Sequence, residues 1–211
     1  MADFEGEDPQ NYYFKENIFN TLNRARQETA FYADVQILPL GKSITEQEGK
    51  NVALQLGQEK KADIVVWGWY GTTKEKAQVS VHFELLTKPD GLPELGAELQ
   101  GKIRTFSLAE LESFEVQVNL SEEITYLSFM TTGISRYATH DWDGTIDFLT
   151  AALKSVQPFP ESLKPAAIYF FRANAYTFEG DKDQAITDYT QAIEFDPNNL
   201  FFTIIEVLFI A

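Results

Sequence analysis

Proton transfer near neutral pH is the province of histidine, and this chain has two, His82 and His140, far apart in the sequence. Neither stands in an HExxH, in the order of a Ser-His-Asp triad or at metal-ligand spacing from other donors. His82 lies in the alternating run Gln78 to Leu86, so it reads as a partly buried sheet residue and not as a base. Asp181 and Asp183 have the spacing that opens a calcium loop, but the glycine and closing glutamate that complete the coordination do not follow, and helix capping explains them better. Trp67 and Trp69 share one side of an apolar run. They would make a platform for a ring-shaped ligand or, the favoured reading, pack under a helix. Gly57, Gly68 and Gly71 match neither GxGxxG nor a phosphate loop with its lysine. Cysteine is absent, which removes disulfides and thiolate metal sites and is compatible with a reducing, cytoplasmic setting. No catalytic residue, cofactor or metal ligand is expected.

The elements that would position these residues are clearest between Pro165 and Asn199. Tyr169, Phe170, Ala173 and Tyr176 recur at helical spacing, as do Ala185, Ile186, Tyr189, Ala192 and Ile193, which predicts two amphipathic helices flanking Gly180 and Asp181. Gly180 can take the left-handed conformation that ends the first helix, and Asp181 can cap the second, with Gln184 completing a capping box. Pro197 stops it. Tyr169, Ala173, Tyr176, Ala185, Tyr189, Ala192 and Pro197 together resemble the signature of the tetratricopeptide repeat. The alanines stand where the two helices cross closely, Ala173 against Ala185 and Ala192. Arg172 departs from the family's usual leucine, so one packing contact must be made differently.

A degenerate copy is predicted over residues 126–159, with Phe129, Gly133, Thr145, Leu149 and Ala152 in the corresponding places. Asp141 stands for Asp181, His140 for Gly180, and Trp142 would pack behind them. The extra residues between the copies, Gln157 to Ser162, read as a lengthened turn. The resemblance implies a binding face on the first helices of the two repeats, carried by Met130, Ile134 and Tyr137 and by Phe170, Asn174 and Thr177. That face would take an apolar or weakly basic peptide of a partner protein. Phe170 stands where carboxylate-gripping relatives carry a lysine, so a terminal carboxylate is not the expected ligand. After Asn199 the run Leu200 to Ala211 is nearly unbroken apolar surface, too short to span a bilayer and expected to promote self-association. It reads as a truncated or frameshifted third repeat.

The net charge of −15 is spread along the chain: residues 1–120 carry twelve basic against nineteen acidic side chains, and residues 121–211 five against thirteen. Neither part has the clustered cations that follow a phosphate backbone, so no nucleic-acid partner is expected, nor a membrane one. An apolar share of 44% with 14% aromatics supplies ample core. The amino end, acidic and without an apolar run, is not a signal peptide.

The first part reads as the stub of a strand at Met1 to Phe4, a helix from Asn11 and a short strand at Asp34 to Leu40. A Thr45/Glu48 capping box then leads a helix with Val52, Ala53 and Leu56. The apolar strand Ala62 to Tyr70, a hairpin loop Gly71 to Ala77 and the strand Gln78 to Leu86 follow. Thr87 to Gln100 reads as a linker, Lys102 to Phe106 and Phe114 to Val118 as further strands, Leu108 to Leu111 as a helical turn, and Asn119 or Ser121 as the cap of the first repeat helix. Ala53, Leu56, Gly57, Ala62-Asp63, Ile64 to Val66 and Gly68 to Tyr70 resemble the N-terminal α/β domain of the TolB translocation protein, with its first strand cut short. Joined to tetratricopeptide repeats, such a domain also looks like part of a larger cyanobacterial multidomain protein. The fold class is therefore α+β: a small α/β domain with a mixed sheet over 1–120, an all-α helical-hairpin array over 121–199, and the tail over 200–211. The function expected is a non-catalytic protein-interaction scaffold. The alternative is a fragment of a multidomain signalling enzyme or regulator whose α/β domain binds a small ligand.

Overall fold

The computed structural model describes residues 1, 16, 19–20, 23–24, 35–72, 76–87, 104–107, 114–156, 159 and 165–197. Among them lie α1 (Gly49–Lys60), β1 (Ile64–Thr72), β2 (Lys76–Leu85), β3 (Arg104–Ser107), α2 (Phe114–Ala138), α3 (Trp142–Ser155), α4 (Ala166–Glu179) and α5 (Lys182–Phe195). The described positions 16, 19, 20, 23 and 24 of the predicted first helix are helical. The linker at 88–100, the turn at 108–111, most of the lengthened turn at 157–162 and the tail at 200–211 lie outside the described residues. The chain divides into two compact units, Met1–Thr87 with Leu92–Ser128, and Lys88–Gly91 with Phe129–Ala211.

In the first unit the three strands run antiparallel in the order β1-β2-β3. Strand β1 is buried at Val65, Val66, Trp67 and Gly68, as a continuous apolar run covered on both faces should be. Pairing continues past the expected hairpin ends, to Thr72 opposite Ala77, so the loop is shorter than the sequence suggests. Val65 and Trp67 form a core with Ile44 and with Ala53 of α1. Gly57 permits that approach: a Cβ there would stand 2.6 Å from Val65 Cγ2 and 2.8 Å from Leu86 Cδ2. Thr45 and Glu48 make the predicted reciprocal box, Thr45 N–H to Glu48 Oε2 at 3.0 Å and Glu48 N–H to Thr45 Oγ1 at 3.1 Å. It caps a single turn closed by Gly49 N–H on the Thr45 carbonyl, after which Gly49, at φ +57°, turns the chain into α1. Residues 35–40 hold no strand, but Met1 N–H reaches the Leu38 carbonyl and Leu40 N–H the Met1 carbonyl, both at 2.6 Å, the bond pattern of a parallel ladder.

Phe114 to Val118 is helix and not strand, and Asn119 and Ser121 lie inside α2 instead of capping it. Phe114, Val116, Val118 and Leu120 alternate, which suggests period 2, yet Val116, Leu120, Ile124 and Leu127 also keep helical phase. From Phe114 to Thr132 no Gly or Pro interrupts the run. Extending an existing helix needs no new nucleus, so the longer phase prevails.

In the second unit α3 packs on α4 and α4 on α5. The C-terminal part of α2 meets α3 at Gly133, where a Cβ would stand 2.5 Å from Leu149 Cδ2 and 3.3 Å from the Leu149 backbone N. The fold is α+β, a small sheet with helices followed by a helical-hairpin array.

Candidate functional site

His82 faces Trp67 across the β1–β2 pair, their rings stacked at 4.1 Å and 12°. Its Nε2 lies 2.7 Å from Ser80 Oγ, a distance that would suit a nucleophile and its base. Ser80 is only 1% exposed, so no substrate reaches the hydroxyl, and burial holds the imidazole pKa below its usual range. Trp67 Nε1–H donates to Glu84 Oε1 at 3.4 Å, and Lys50 of α1 stands 3.9 Å from the other carboxylate oxygen. This is a polar seam beneath a helix. Trp67 is buried in the core, so the tryptophans form no open platform. The Ser80–His82 pairing was missed in the sequence, although i, i+2 spacing on one strand face would have signalled it.

The two helical turns of the second unit are built alike. Asp141 and Asp181 cap α3 and α5 with nearly the same backbone (φ −86°, ψ 84° and φ −84°, ψ 81°), accepting from Gly144 N–H at 3.0 Å and Gln184 N–H at 3.2 Å. Gly180 closes α4 at φ +84°, and His140 takes the same left-handed region at φ +62°. His140 thus serves the turn, edge-on to Trp142 at 5.2 Å. The reciprocal half of the box at Asp181 is absent: its N–H is taken by the Tyr176 carbonyl at 2.9 Å and not by the Gln184 side chain. Ala173, Ala185 and Ala192 are all buried where α4 packs on α5.

The leucine's substitute, Arg172, makes a forked ion pair with Asp188, Nε to Oδ2 at 2.6 Å and Nη2 to Oδ1 at 2.7 Å. Its Nη1 donates to Thr150 Oγ1 of α3 at 2.9 Å, and Tyr169 and Tyr176 flank it at 5.6 Å and 5.9 Å. Burial pushes both phenols' pKa values up, against the pull of the Arg172 charge, which lowers them. These caps, small crossing residues and the break before Pro197 have a known counterpart. Residues 166–199 match the family model of the tetratricopeptide repeat. No curated protein and no solved structure matches the chain.

In the repeat and the hairpin before it, the six expected binding residues fall into two sets. Met130, Ile134 and Phe170 are buried, Phe170 edge-on to Phe171 at 5.4 Å and tilted against Tyr189 at 6.2 Å. In this conformation their side chains are core. Tyr137, Asn174 and Thr177 are partly exposed and stand together. Asn174 Oδ1 accepts from the Tyr189 hydroxyl at 2.6 Å, which lies 3.4 Å from Thr177 Oγ1, and the Asn174 side chain is also hydrogen-bonded with the Tyr137 hydroxyl. Burial raises the pKa of Tyr137 and of Tyr189, so both remain phenols at neutral pH. The patch can exchange hydrogen bonds with a peptide backbone. Among the described residues no group of three or more His, Asp or Glu is placed to hold a metal, and no helix is long and apolar enough to cross a membrane.

Proposed function

We propose that the chain is a non-catalytic protein-interaction scaffold whose repeats hold a peptide segment of a partner across the first helices of the two hairpins, α2 and α4. The observation that carries this is the match of residues 166–199 to the tetratricopeptide repeat, together with the partly exposed Tyr137, Asn174 and Thr177 on those helices. Met130, Ile134 and Phe170 support the patch from beneath. The Asn174 amide and the Tyr137 and Thr177 hydroxyls are the groups on offer, so the ligand is an uncharged or weakly basic stretch of backbone and apolar side chains. The proposed division keeps an α/β domain over 1–120, akin to the TolB N-terminal domain, before repeats over 121–199. The limit at 120 falls within the continuous helix α2.

A photo-crosslinking amino acid placed at Thr177, and separately at Glu59 as a control, tests the reading in cells that express the chain. Crosslinks from position 177 should map to one recurring segment of one partner and vanish in Asn174→Ala. Crosslinks that are equally diffuse from both positions would refute it.

A further inference from the structure

The turn edge of the second unit carries a stacked pair, Phe178 on Trp142, that lies outside the proposed binding residues and meets them at Tyr137. Phe178, near the end of α4, is 62% exposed, yet it lies flat on Trp142 of α3 with centroids 4.3 Å apart and an interplanar angle of 10°. Tyr137 and His140 hold Trp142 edge-on at 5.4 Å and 5.2 Å. An exposed ring is therefore fixed by a backing of three others, with its outer face open.

Acidic residues are the sequence neighbours of the stacked pair and of the turn that follows it. Asp141 and Asp143 flank Trp142, Glu179 follows Phe178, and Asp181 and Asp183 open α5. Asp141 is engaged by Arg136 at 3.1 Å, which leaves Lys182 as the other cation of the two turns. Burial and repulsion from Asp143 and Asp141 push the Asp147 carboxyl pKa up. The Tyr176 hydroxyl feels Asp181 and Asp147 together, which brings the two turns' charges into one neighbourhood.

We infer that this edge docks an arginine-bearing basic segment of a partner protein, its guanidinium on the outer face of Phe178 and its charge among the neighbouring carboxylates. Charge complementarity selects the occupant. An apolar segment would bury carboxylates without partners, and an acidic one would be repelled. A guanidinium is planar, stacks on aromatic faces and sheds water more readily than an ammonium.

The probe is a fluorescein-labelled peptide of alternating arginine and glycine, with lysine-glycine and citrulline-glycine counterparts, read by fluorescence anisotropy on the full chain. The arginine peptide should bind best and the citrulline peptide, which lacks the charge, should not bind. Phe178→Ala and Asp143→Asn should each weaken arginine-peptide binding by roughly three- to tenfold. Glu59→Gln, which removes an equal charge from α1, should leave it unchanged. Equal losses in Glu59→Gln and Asp143→Asn would mean attraction to the acidic chain at large and would overturn the inference, as would no binding at all. Should Phe178→Ala lower the melting temperature, Phe178→Leu keeps the apolar bulk without the ring, and wild-type affinity in that variant would also overturn it.

Discussion

Removing the Asp188 carboxylate should destabilise the repeat far more than removing a surface charge. Asp188 is 3% exposed and Arg172 14%, so solvent screens the pair little. Asp188→Ala strips Arg172 of two charge-assisted hydrogen bonds, leaving one to Thr150 and two tyrosine faces. Breaking one side of a buried pair costs about 3–5 kcal/mol. The retained contacts, and the reach of an arginine head toward water, favour the lower end, about 3 kcal/mol. For a chain of this size that corresponds to a fall of roughly 6–12 °C in the melting temperature of the helical transition. Arg172→Leu, which installs the residue usual in the family, should cost a similar amount because Asp188 is then buried alone. The double variant Arg172→Leu/Asp188→Leu should lie within about 1 kcal/mol of the wild type, since apolar residues can replace a buried pair at little net cost. Thermal melts at the helical dichroism band close the cycle. Additive single costs, with a coupling below about 0.5 kcal/mol, would refute the view that the pair acts as one buried unit.

Two further outcomes test the packing and the polar seam. Gly133→Ala puts a methyl 2.7 Å from Leu149 Cγ and 3.3 Å from its backbone N, so side-chain rotation alone cannot relieve it. A loss of roughly 1–3 kcal/mol is expected in urea unfolding, partly restored by Leu149→Ala. His82 is harder to protonate folded than unfolded, where its pKa is near 6.5. Its contribution is therefore fully present above that value and is lost as pH falls below it toward the lower folded pKa, because the unfolded chain binds the proton first. Urea midpoints followed by tryptophan fluorescence should drop between about pH 7 and 5, and His82→Gln should flatten that slope.

The hairpin from Pro165 to Pro197 was legible because its determinants are local. A left-handed glycine, an aspartate cap and alanines at one crossing announce themselves within a few residues of the groups they serve. The same reasoning found the His140–Asp141 turn, where a histidine holds glycine's place. It failed at Phe114 to Val118, since four alternating apolar residues fit a strand and a helix equally and the continuation past Leu120 decides between them. Periodicity also reports a face and not its depth, so Met130, Ile134 and Phe170 share a face with Tyr137, Asn174 and Thr177 but lie beneath the surface. Partners across helices were invisible for a similar reason. Nothing in the spacing of Arg172, Asp188 and Thr150 states that they converge.

That convergence bears on how the helices come apart. A repeat array's stability divides into what each hairpin holds by itself and what it shares with its neighbour. Arg172 contributes to both at once, to its own hairpin through Asp188 and to the preceding one through Thr150. Opening α5 loosens the arginine's hold on α3, and detaching α3 leaves the arginine less firmly seated against α5. The three helices should therefore exchange their amide hydrogens with a common protection, as a single cooperative foldon and not as a hairpin that frays from its neighbour.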